Sequence, residues 1–169
     1  PHVMIRKRRF IAKAGFGLMG FWILSATSSA ADVIATASVE GKGKTLVLKI
    51  GEKSVSFAAP EDGQWDHLVR SGDNSKVFVT AQGEKERAVY EFSVSGYLAK
   101  PQTYFPRKIP LVCDLKEARV MDVFSASRDG SRLLITIHYC YASDSEGRSF
   151  RWHPYFFDTA SGTVTMVEP

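Results

Sequence analysis

Arg128-Asp129-Gly130-Ser131-Arg132-Leu133-Leu134-Ile135-Thr136-Ile137-His138-Tyr139-Cys140-Tyr141 decides the fold class. A turn of Arg, Asp, Gly and Ser leads into a run of branched and aromatic side chains with no helical spacing, which reads as one long strand over 132–141. Residues 149–157 read as its neighbour across a loop at 142–147. Residues 158–162 make the next turn, and 164–167 close as a short last strand.

The same grammar runs upstream. Leu46, Leu48 and Ile50 alternate up to Gly51-Glu52, and Val55 and Phe57 follow, the pattern of a hairpin with a two-residue turn. Trp65, His67 and Val69 alternate next, and Ser71-Gly72-Asp73-Asn74-Ser75 is a turn. Then come 77–80 and Ala88, Tyr90, Phe92 and Val94, ended by Ser95-Gly96. Residues 97–118 carry Pro101, Pro106 and Pro110, each lacking a backbone donor, so the segment reads as a connector with at most one edge strand, near 111–115. The strand at 120–126 restarts the pattern.

The two halves look like one unit written twice, at an offset of 56 residues. It carries Asp73 onto Asp129, Ser75 onto Ser131, and Val77-Phe78-Val79-Thr80 onto Leu133-Leu134-Ile135-Thr136. Asp129-Gly130-Ser131-Arg132-Leu133-Leu134 and Phe157-Asp158-Thr159-Ala160-Ser161-Gly162-Thr163-Val164 resemble β-propeller blades of the TolB-like and YVTN-like kinds, over roughly 71–96 and 127–167. The resemblance implies strand architecture. Such blades bind proteins, sugars and metals, and some catalyse. Closed propellers use about four to eight four-stranded blades, whereas this stretch offers two and a half. The expectation is therefore one all-β domain over 31–169, with repeats near 64–96 and 119–167. Its antiparallel sheets, from two propeller-blade-like repeats, pack as a sandwich or partial barrel. The alternatives are assembly of copies and membership of something larger.

Residues 1–30 differ in composition from the rest. Pro1 to Val3 read as upstream residues and Met4 as the start. Arg6, Lys7, Arg8, Arg9 and Lys13 form a basic region before the apolar stretch 14–24, and Ser28 and Ala30 are the small residues of a cleavage site. This is the pattern of a signal peptide, which places the domain in the periplasm or outside the cell. A permanent anchor would need about 20 apolar residues and is the weaker reading; it is also the only membrane attachment the chain offers. The run Lys7-Arg8-Arg9-Phe10-Ile11 leaves twin-arginine export open as the route.

The leader also accounts for the basic charge. The chain has 22 Lys and Arg against 18 Asp and Glu; less the five basic residues just named, 17 face 18. A domain of near-zero charge gives no reason to expect nucleic acid as a partner. Cys113 and Cys140 would meet an oxidising compartment, and a bridge closing 28 residues would stabilise the fold by roughly 3–4 kcal/mol. Two separately buried thiols are the alternative.

Sequence motifs for catalysis are lacking: there is no G-x-S-x-G, and Gly41 to Gly43 is too short for a phosphate loop. His67, after Trp65 and Asp66, reads as a partly buried strand residue. No cofactor is expected. His138 and His153 are weak metal candidates if a hairpin brings them opposite each other, with Asp144, Glu146 and Cys140 nearby. The aromatic hairpin is more suggestive. Phe150, Trp152 and Phe156 share one parity and are assigned to the core with Ile135 and Ile137. That leaves Arg151, His153, Tyr155 and Phe157, with Tyr141, as a ligand-binding patch for a peptide, a sugar or a protein. A non-enzymatic binding or accessory module leads. A small secreted metal-dependent enzyme, or an inhibitor of an extracellular enzyme using the Pro-rich segment 101–110, is the alternative.

Overall fold

The computed structural model describes residues 33–60, 63–83, 87–144 and 147–168. The leader lies outside them. Eleven strands and one short helix follow in three antiparallel meanders, and no closed barrel forms among the described residues, so the architecture is all-β and sandwich-like.

The first sheet holds β1 (Ile34–Glu40), β2 (Thr45–Ile50) and β3 (Lys53–Ala58) in that order. The hairpin expected at Gly51-Glu52 is present: Gly51 takes a φ of 56°, in the left-handed region that a tight turn asks of its glycine. The second sheet runs β4 (Gln64–Arg70), β5 (Lys76–Gln82), β6 (Arg87–Ser93), β7 (Arg107–Ile109). The third runs β8 (Arg119–Ala126), β9 (Arg132–Asp144), β10 (Gly147–Asp158), β11 (Val164–Met166).

The connector departs from expectation in two ways. Its edge strand is β7, between Pro106 and Pro110, rather than 111–115, where Val112 makes only an isolated bridge to Thr163. The run ending in Val94 turns into α1 (Val94–Ala99), because the Ser93 side chain accepts from the Gly96 backbone N–H at 3.1 Å and caps the turn.

Alternation then stacks the sheets. On β5, Val77, Val79 and Ala81 join Leu46, Leu48, Phe57 and Trp65 in a core between the first and second sheets. Phe78 on the same strand points the other way, joining Val89, Val120, Ile135, Ile137 and Phe157 in a second core between the second and third sheets. The central sheet is thus covered on both faces.

The repeat is visible atom by atom in its turns. Asp73 Oδ1 accepts from Ser71 Oγ, Ser75 N and Ser75 Oγ, and Asp129 Oδ1 accepts from Ser127 Oγ, Ser131 N and Ser131 Oγ, each residue 56 positions on. In both, the first serine's Oγ also accepts from the residue opening the next strand, Lys76 or Arg132. The two turns also bond to each other: Asp73 N donates to Arg128 O at 2.8 Å and Gly72 N to Ser127 O.

Candidate functional site

The end faces of the stack are unlike. On the first sheet, the side turned away from the core carries Thr36, Ser38, Glu40, Lys49, Ser54 and Ser56, all exposed. On the third sheet, the corresponding side carries large exposed apolar residues among polar ones. Trp152 lies opposite His138, Pro154 opposite Thr136, and Phe156 opposite Leu134. Trp152 is 73% exposed and Phe156 47%. Phe124, following inward-facing Val123 at a bulge of β8, adds a third ring at 56%. Arg132, Asp158, Thr163 and Thr165 line a shallow depression around Phe156 and form a polar rim. The Asp158 carboxyl sits below its ordinary range because the backbone N–H and hydroxyl of Ser161 donate to it.

This reverses the faces assigned from sequence. Tyr155 is 5% exposed and Phe157 fully buried, both in the second core, whereas Trp152 and Phe156 are the outward residues. The cause is a bulge. From the tip, Gly147 pairs with Asp144 and Ser149 with Ala142, a register that, continued, would set Trp152 opposite Tyr139 and Phe156 opposite Ile135. Between Ser149 and Phe150 the register shifts by one, so Phe150 pairs with Cys140 and every later residue of β10 changes its partner's parity. Burial raises the Tyr155 phenol above its ordinary value, and neighbouring Tyr139 adds to it.

The expected ligand-binding patch is therefore not one surface. Arg151 is exposed, His153 is half-buried with its ring 6.1 Å from that of Tyr139, and Tyr155 and Phe157 are core. Tyr141 lies among residues whose side chains are not described. The metal candidates separate for the same reason: His138 faces outward with Trp152, while His153 pairs with Ile137 and shares the inward parity. Glu146 lies outside the described residues.

Cys113 and Cys140 are free thiols, so the expected bridge is not formed. Cys113 comes close enough to Tyr155 to influence its ionisation, on the inward side of the hairpin, while Cys140 follows inward-facing Tyr139 and by alternation points the other way.

Sequence reading missed a polar cluster joining the second and third sheets. Arg87 on β6 donates to the Asp66 carboxylate, to Gln82 Oε1 and to the Met121 backbone carbonyl, and its guanidinium lies 3.9 Å from Asp122. His67 Nε2 is 2.8 Å from Asp122 Oδ1. The members come from four strands of two sheets, which no local spacing could bring together. No protein-family model matches the chain, and no curated protein matches it.

Proposed function

We propose that this is an exported, non-enzymatic binding module, built of propeller-blade-like units, that engages a partner protein through the outer face of its third sheet. The observation that carries it is Trp152 at 73% exposure on a face shared with Phe124, Pro154 and Phe156. Large rings left in water on one continuous face mark interaction surfaces.

The repeat indicates what kind of partner fits. Leu134 and Thr136 on this face are the 56-residue counterparts of Phe78 and Thr80, both fully buried on the central sheet. Phe78 faces the third sheet, so the equivalent face one repeat earlier is covered by another antiparallel sheet. The occupant suited to Phe124, Trp152 and Phe156 is likewise a protein presenting an apolar sheet. Export rests on the leader composition of 1–30, and the periplasm or exterior is where such a partner would be met.

Photocrosslinking tests the reading. A benzophenone amino acid replacing Phe156, in cells producing the exported chain, should give a discrete adduct, while the same group replacing Ser54 on the polar first-sheet face should give none. An adduct of twice the chain's mass would identify the partner as a second copy. Absence of an adduct at 156, or equal patterns from both positions, would overturn the proposal.

A further inference from the structure

The strand β10 outruns its outer neighbour. It spans 12 residues, Gly147–Asp158, but β11 pairs with it only at Tyr155, Phe156 and Phe157. Val167 N–H donates to Pro154 O and Asp158 N–H to Thr163 O, so the even-numbered residues of β10 turn their backbone groups toward β11 and the odd-numbered ones toward β9. Past the end of β11 the same alternation aims the N–H and C=O of Trp152, and of Phe150 before it, along an edge beside which no strand lies among the described residues. Pro154 is tolerated in this strand for the same reason: the N–H it lacks would point to that edge and not into the β9 ladder.

Elsewhere side chains reach into the outer strands. Arg70 donates to the Ile34 and Ala35 carbonyls of β1, Trp65 to the Phe57 carbonyl of β3, and Arg87 to the Met121 carbonyl of β8. No described side chain does so for the Trp152 backbone. A row of unpaired donors and acceptors recurring every second residue, about 7 Å apart, is matched by one ligand chemistry, another extended backbone. The Trp152 ring, exposed on the outer face beside this edge, offers such a strand an apolar cross-strand contact.

We infer that the edge of β10 at Phe150 and Trp152 captures an extended peptide segment, which adds to the third sheet in line with β11 and sets an apolar side chain against Trp152. This mode of binding is separate from the docking of a sheet on the outer face, since Phe156 lies where β11 already closes the edge.

The test is selection of linear 12-residue peptides from a random phage-displayed library on the full chain, followed by titration of the synthetic peptides. Selected peptides should alternate apolar and polar residues and slow hydrogen exchange of the Trp152 N–H at least tenfold. Methylating every second backbone nitrogen of a peptide should lower its affinity at least tenfold for one alternate set and less than twofold for the other, because only one set faces β10. Trp152→Pro removes the edge donor and the ring but leaves the β9 ladder, and should weaken binding at least fivefold more than Trp152→Thr, which removes the ring alone; if Trp152→Pro does not fold, the methylated peptides decide. No enriched peptide, an equal effect of the two methylated sets, or an unprotected Trp152 N–H would overturn the inference. A crosslink from Phe156 with no peptide binding would overturn this inference and leave the reading of the outer face standing.

Discussion

Asp73 and Asp129 hold consecutive sheets by the same device, and the backbone N–H of Asp73 reaches the carbonyl beside Asp129, at Arg128, across 2.8 Å. Each carboxylate gathers two hydroxyls and a backbone N–H, which keeps both below the ordinary carboxylate value near 4. For Asp73 the Ser71 hydroxyl is the largest cause; for Asp129 it is the Ser131 backbone N–H.

A lowered folded-state value means the stabilisation is fully present above the unfolded value and is lost as pH falls through the folded one. Urea midpoints should therefore hold from neutral pH to about 5 and drop progressively below about 4. Asp73→Asn with Asp129→Asn should lower the midpoint at pH 7 and flatten the acid limb. An acid limb as steep as in the parent would mean that other carboxylates control it.

Trp152 and Trp65 should be separable by fluorescence. Trp65 is buried, with its Nε1 donating to the Phe57 carbonyl at 3.1 Å, while Trp152 stands in solvent. The difference spectrum between the protein and Trp152→Phe should be red-shifted and quenched by iodide, with stability changed by less than about 0.5 kcal/mol, as for an ordinary surface substitution. A blue-shifted, unquenched difference would place Trp152 inside.

Gly162 should not accept a side chain. Its φ is 77°, and an added Cβ would stand 2.0 Å from the Pro110 carbonyl oxygen, while its own carbonyl accepts from Val112 N–H at 2.8 Å. Gly162→Ala must move the connector off the last turn, at a cost of about 2 kcal/mol or more. Thermal denaturation would show the loss; an unchanged midpoint would contradict this packing.

Arg87→Ala should loosen the second sheet from the third. Arg87 is 14% exposed, but its partners Asp66 and Asp122 are about one-third exposed, so water screens part of the loss, and about 1–2 kcal/mol is expected. Hydrogen exchange should quicken in β4 and β8 before it quickens in β2. Uniform quickening would mean that Arg87 stabilises the whole domain rather than this junction.

The all-β class was legible because alternation and Asp/Gly/Ser turns are local signals, and the repeat because its turn residues recur at one spacing. β1 was missed: its alternation, Ala35-Thr36-Ala37-Ser38-Val39-Glu40, is carried mostly by small side chains, and its burial rests on Ile34, Ala37 and Val39 packing into a core assembled from later strands. The hairpin faces were misassigned because one register shift near Phe150 decides parity for nine residues, Phe150 to Asp158, and nothing local at 149–150 announces it. The Arg87 cluster was invisible because its geometry exists only once two sheets have stacked.

Val77 and Phe78 are sequence neighbours, both fully buried, yet they belong to different cores. The buried residues of the first core span 34–94 and those of the second 78–157, so the chain completes one interior from its earlier part and then reuses the back of the same wall to begin the next. For a chain synthesised from its N-terminal end, this gives an order of assembly. The first two sheets can close while the third is still arriving, and each later sheet meets a template already set.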